Sequence, residues 1–125
     1  KILRKRVGLF KRYYTNLKIL QDKGLVRLPT VPTQCSPNGH MFYIVCKSAK
    51  MRIELMSYLT KNNIESVFHY VPLHDSKMGK KISTSTSLPI TEANAKRVLR
   101  LPMFFELSLK EQDHVINSII QYYSA

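Results

Sequence analysis

Hydrophobic and polar positions alternate along the chain in periods that change several times, and each change marks an element. Ile2, Leu3, Val7, Leu9, Phe10, Tyr13, Tyr14 and Leu17 recur at helical spacing among Lys1, Arg4, Lys5, Arg6, Lys11, Arg12 and Lys18. One face of such a helix is buried and the other solvated. The pattern predicts a first helix to about Asp22, with Gly24 as the left-handed stop that another residue would make costly. Pro29, Pro32, Pro37, Asn38 and Gly39 then punctuate a loop. It ends at the run His40-Met41-Phe42-Tyr43-Ile44-Val45-Cys46, whose unbroken apolar character predicts a strand buried on both faces.

Ser48 is placed to cap a helix in which Met51, Leu55 and Leu59 repeat every four residues, and Asn62-Asn63 break it before Ile64. Residues 65–70 read as a second buried strand. Residues 76–88, with Lys77, Gly79, Lys80, Lys81 and the tract Ser83-Thr84-Ser85-Thr86-Ser87, are too polar to pack a core and predict a mobile surface loop. Thr91 is the expected cap of a short helix through Val98 and Leu99, followed by an extended Arg100-Leu101-Pro102-Met103. Ser108 and Glu111 have the spacing of a capping box, and Val115, Ile116, Ile119, Ile120 and Tyr123 carry the buried face of a last helix. The expected fold is α/β (α+β): a small open sheet of about three strands flanked by helices.

Composition narrows this without redirecting it. A chain of 125 residues with 44% hydrophobic residues fills one core, so residues 1–125 are expected to form a single domain. No apolar run is long enough for a membrane span, and the first residues lack the apolar centre of a signal peptide, so a cytoplasmic setting is expected. Cys35 and Cys46 have no metal or redox spacing and are assigned no chemistry. The opening at Lys1, already in helical pattern, predicts a piece of a longer protein.

Charge raises a different possibility. The net charge is +12, from 20 Lys and Arg against 8 Asp and Glu, which suits a polyanionic partner. A free-standing basic module that binds a nucleotide or nucleic acid is therefore a second hypothesis, with Lys77, Lys80 and Lys81 folding over a phosphate. No nucleic-acid motif of fixed spacing accompanies the basic helix.

Candidate chemistry concentrates in His69-Tyr70-Val71-Pro72-Leu73-His74. Proline after a strand ends ladder pairing and holds the preceding residue extended, so these side chains are expected on a fixed lip. Spacings for an activated nucleophile, a P-loop or a dinucleotide fingerprint are absent. His69 and His74 lack a third ligand for a metal. Taken singly, His69 also reads as a structural histidine, and Tyr70 as a core residue with its hydroxyl at solvent.

Several segments in order carry a resemblance: Tyr13-Tyr14, Leu28-Pro29, His40 to Ile44, Val67 to His74, Leu101-Pro102-Met103-Phe104, Leu107-Ser108 and Gln112-Asp113-His114-Val115-Ile116. Together they resemble the C-terminal domain of the DegT/DnrJ/EryC1/StrS sugar aminotransferases. The resemblance implies the small domain of a fold-type I enzyme that uses pyridoxal 5′-phosphate (PLP) to move an amino group from glutamate to a nucleotide-linked 4-keto-6-deoxyhexose for polysaccharide biosynthesis. It implies a homodimer for the intact protein, with neither nucleic acid nor membrane as partner. The family's Schiff-base lysine lies in its N-terminal domain, so the cofactor is bound mainly outside this chain and the chain alone is expected to be inactive. Lys61, in Thr60-Lys61-Asn62, is similar in setting to that lysine only superficially and reads as a surface residue. By the same resemblance His69 reaches toward the sugar, Tyr70 adds a hydroxyl or a stacking face, and His74 stands at the cleft edge in a partly structural role. A truncated remnant is the duller alternative, in which Ile2, Phe10 and the tyrosines of the first helix form an exposed apolar stripe.

Overall fold

A computed structural model of the chain describes residues 1–82 and 87–124. Helix α1 (Ile2–Asp22) ends where expected, with Gly24 at φ +65°. It leads into β1 (Val26–Arg27), a two-residue strand too short to leave a periodic signal in the sequence. Strand β2 (Phe42–Cys46) follows, and Ser48 Oγ accepts the Met51 N–H at 3.1 Å to open α2 (Ala49–Lys61). Beyond it lie β3 (Val67–Phe68), a single 3-10 turn (Leu73–Asp75), α3 (Gly79–Ile82), α4 (Pro89–Ala95), β4 (Val98–Leu101) and α5 (Leu109–Ser124).

The strands form one antiparallel sheet in the order β1-β2-β4-β3, so it has four strands among the described residues where about three were expected. Phe42 pairs with Leu101 and Ile44 with Leu99 at the centre of the sheet. Those four side chains are buried and face the core, together with Leu9, Leu17, Leu55, Leu59 and Ile119 from the helices. Phe10 meets the Phe42 ring edge-on at 5.1 Å, and Tyr13 stacks on it at 5.0 Å. Phe10 and Tyr13 are thus core residues rather than part of an exposed stripe; on α1 the exposed apolar side chains include Ile2, Leu3 and Ile19. Burial of β2 on both faces extends to Val45 but not to Tyr43, which is half-buried.

Polar ties join the helices across the core. Gln112 on α5 is fully buried and donates from Nε2 to the Leu9 carbonyl on α1 at 2.7 Å. Arg12 pairs with Asp113 nearby. At the start of α5 Ser108 Oγ accepts the Glu111 N–H and Glu111 Oε2 accepts the Ser108 N–H, which is the reciprocal cap the spacing predicts.

Three expectations need correction. The strand expected over 65–70 is only two residues long, and Val67 and Phe68 are exposed, because β3 is the border of the sheet and pairs on one side only. The helix expected to start at Thr91 and run through Val98 and Leu99 instead starts at Pro89, behind Leu88, and ends at Ala95. Proline at the first helical position loses no hydrogen bond, and Leu99 is fully buried between β2 and β3, a place only a strand can fill. Within the segment expected to be a loop, Gly79–Ile82 forms a helical turn. Residues 83–86 of that segment lie outside the described residues.

Candidate substrate-facing lip

Pro72 ends the extended stretch that follows β3, and the chain turns at once into the 3-10 turn, where the Asp75 N–H bonds to the Pro72 carbonyl at 2.9 Å. The turn is pinned from below. Ser76 Oγ donates to the Leu73 carbonyl at 2.7 Å and accepts the Gly79 N–H at 2.9 Å. Gly79 comes so close that a Cβ built on it would stand 1.7 Å from the Leu73 carbonyl oxygen, so only glycine permits this packing. The lip is therefore tied down by the Ser76 hydroxyl and by the close approach of Gly79 to the Leu73 carbonyl.

Beneath it opens a cavity of about 580 Å³, whose wall includes Arg52, His69, Tyr70, His74, Glu92 and Lys96. His69 is half-buried, with Nδ1 buried and unpartnered. Its ring stands 5.2 Å from that of Tyr70. Tyr70 is 73% exposed, so it is no core residue, and the Arg100 guanidinium lies over its ring at 5.8 Å. The His74 side chain is only 10% exposed, and its Nε2 lies 3.2 Å from Glu92 Oε1. Glu92 also accepts the Leu88 N–H at 2.8 Å. These two contacts, the Leu88 bond first, hold its carboxyl below the ordinary glutamate value. Beside them Lys80 Nζ meets Asp75 Oδ1 at 2.6 Å and lowers that carboxyl likewise.

The fold thus gathers His69, Tyr70 and His74 on one cavity. Sequence reasoning missed Arg52, Glu92 and Lys96. Arg52 follows the apolar Met51 on α2 and looks like any solvated helix position until β3 covers it. Glu92 had a signal, an acidic residue in a first turn, but Thr91 drew the cap assignment away from Leu88.

Two imidazoles, a phenol and a guanidinium around an open cavity can bind and orient a polar, oxygen-rich ligand. No group of three His, Cys, Asp or Glu side chains among the described residues is arranged to hold a metal ion. Nor do the amines fit a Schiff base. Such a lysine reacts as the free amine, which burial favours, whereas all thirteen lysines here, Lys61 included, are exposed. These residues do not make a seat for an aldehyde cofactor. Cys35 is exposed and Cys46 buried, both as free thiols, and no helix among the described residues is long and apolar enough to cross a membrane.

Fold and lip together give a mixed α/β unit whose cavity gathers His69, Tyr70 and His74. Residues 1–120 match the DegT/DnrJ/EryC1/StrS aminotransferase family, and the chain belongs to it. It is 30% identical over 117 residues to the erythromycin biosynthesis sensory transduction protein EryC1 of Saccharopolyspora erythraea, covering 92% of this chain and 30% of that protein. It is 27% identical to the dTDP-3-amino-3,6-dideoxy-alpha-D-galactopyranose transaminase of Aneurinibacillus thermoaerophilus, over 74% of this chain and 25% of that one. Among solved structures, DesV of S. venezuelae in complex with a ketimine intermediate superposes with TM-score 0.83 at 28% identity, covering 97% of this chain and 32% of that one. NtdA of Bacillus subtilis with bound cofactor PMP gives TM-score 0.83 at 26% identity, covering 97% and 28%. The chain spans 25–30% of the length of the curated relatives it matches. The small open sheet with flanking helices is the architecture found in these fold-type I aminotransferases, as the resemblance implied.

Proposed function

We propose that the chain is part of a PLP-dependent aminotransferase that moves an amino group from glutamate to a nucleotide-linked 4-keto-6-deoxyhexose, of the dTDP-4-amino-4,6-dideoxygalactose type, in surface polysaccharide biosynthesis. The observation that carries this reading is the placement of His69 at an open cavity, half-buried with Nδ1 unpartnered, in a chain that matches the family over residues 1–120. The bound cofactor supplies the electron sink and carries the amino group. Its lysine belongs to other polypeptide of the intact protein, a homodimer on this reading, and this chain by itself is inactive.

What the chain contributes is position. His69 offers a ring nitrogen suited to a sugar hydroxyl or a phosphate oxygen, without a fixed charge that would penalise the empty cleft. Tyr70 presents its hydroxyl and ring face to the same space, and His74, tied to Glu92, holds the lip to α4. In the intact enzyme, supplied with glutamate and the nucleotide-linked keto sugar, an amino sugar forms. His69→Ala lowers kcat/KM for the sugar about tenfold, the cost of one lost hydrogen bond to a substrate. Unchanged KM and kcat in that variant would overturn the role of His69, and failure of the intact enzyme to aminate any nucleotide-linked 4-keto sugar would overturn the function.

A further inference from the structure

The cavity under the lip contains a guanidinium that rests against the Phe68 ring and keeps two nitrogens without a hydrogen-bond partner. Nε and Nη1 of Arg52 are buried without a hydrogen-bond partner. The guanidinium carbon stands 5.8 Å from the centre of the Phe68 ring, which places it under the border strand. His69, one residue further on, has its Nδ1 in the same condition, and both side chains line the same cavity. Leaving a buried donor unpaired costs its desolvation without return, and the cost is greater when the donor is charged. Folded chains keep such groups where something else completes them.

The rest of the wall sets the sign of the missing partner. Its two carboxylates are already engaged: Asp75 by Lys80, and Glu92 by His74 and the Leu88 N–H. Arg52 and the exposed Lys96 remain as cations of the wall that make no salt bridge among the described residues. A neutral sugar face would leave that charge uncompensated.

We propose that Arg52, with His69 beside it, binds an oxyanion of the substrate, a carboxylate or phosphate oxygen. This rests on the reading of the cavity as a substrate wall. A guanidinium suits the task because it is always charged and its planar donors reach more than one oxygen at once. Two substrates of the proposed reaction carry such a group: glutamate through its carboxylates, and the nucleotide sugar through its diphosphate.

The test is a titration of the 125-residue chain, separately with inorganic phosphate, L-glutamate and dTDP, followed by NMR at the Arg52 Nε–H and the His69 imidazole. The Arg52 resonance is expected to move together with that of His69. Response to phosphate and dTDP assigns the site to the nucleotide sugar, response to glutamate alone assigns it to the amino donor, and response to all three fixes the shared oxyanion chemistry. Arg52→Met is expected to weaken the binding about tenfold, as loss of a charge-assisted contact does, with Arg52→Lys recovering part of it. A purely structural Arg52 would shift the melting temperature and leave affinity alone. If His69 responds while Arg52 does not, and Arg52→Met binds like the wild type, the inference about Arg52 is overturned and the substrate wall stands; silence from both residues with all three probes overturns both. If Arg52→Met does not fold, the wild-type Nε–H response decides.

Discussion

Tyr13 joins the first helix to the end of the last strand. Its ring stacks on Phe42 at 5.0 Å, and its hydroxyl donates to the Pro102 carbonyl at 3.0 Å from a fully buried position. Burial pushes the phenol up, so the donor keeps its proton across the working pH range. Tyr13→Phe retains the stacking and strands the carbonyl, with an expected loss of about 1–2 kcal/mol in chemical denaturation. Glu92 titrates in the opposite sense. Its folded value lies below the ordinary one, so its contribution is present above the unfolded value and is lost as pH falls through the folded value. As pH falls below the ordinary glutamate range the Leu88 and His74 contacts open, seen as faster amide exchange at Leu88 while the core amides stay protected. Of the residues on the cavity, the histidines and Tyr70 were legible because a proline fixed their stretch. Arg52 was not, because its neighbour Phe68 stands sixteen residues on and approaches only through the sheet.

Among the elements, the lip depends on a single close approach. Gly79→Ala places a methyl group against the Leu73 carbonyl, so α3 must move off the 3-10 turn. The expected result is a lip that loses protection at Asp75 and Ser76 in hydrogen exchange, with a melting temperature reduced only slightly, since no lip residue from Leu73 to Ile82 is in the core. The reverse, a large melting shift with unchanged lip exchange, would show that Gly79 serves the core. Elements set by local chemistry were legible in advance: the Gly24 stop of α1, the Ser48 cap of α2 and the Ser108–Glu111 cap of α5. Elements set by remote pairing were not. Val98 and Leu99 are an apolar pair that fits a helix or a strand equally well, and the choice is made by β2, more than fifty residues away. The short β1 and β3 exist only because a longer neighbour offers them a ladder.

At the scale of the whole molecule, exposed apolar side chains and cations share the lip. The core is sealed by α1, α2 and α5, while Leu73, Met78, Ile82 and Ile90 are more than 60% exposed around the lip. On the proposed function, the remaining polypeptide of the intact enzyme covers that rim. The formal excess of +12 comes from side chains of two chemical kinds, and the fold treats them differently. Every primary amine faces water, whereas guanidinium groups such as Arg6, Arg12 and Arg52 reach into the framework. An acylating reagent therefore erases the surplus from outside, at the expense of surface pairs such as Lys80–Asp75, and whatever attraction for anions survives that treatment belongs to the arginines.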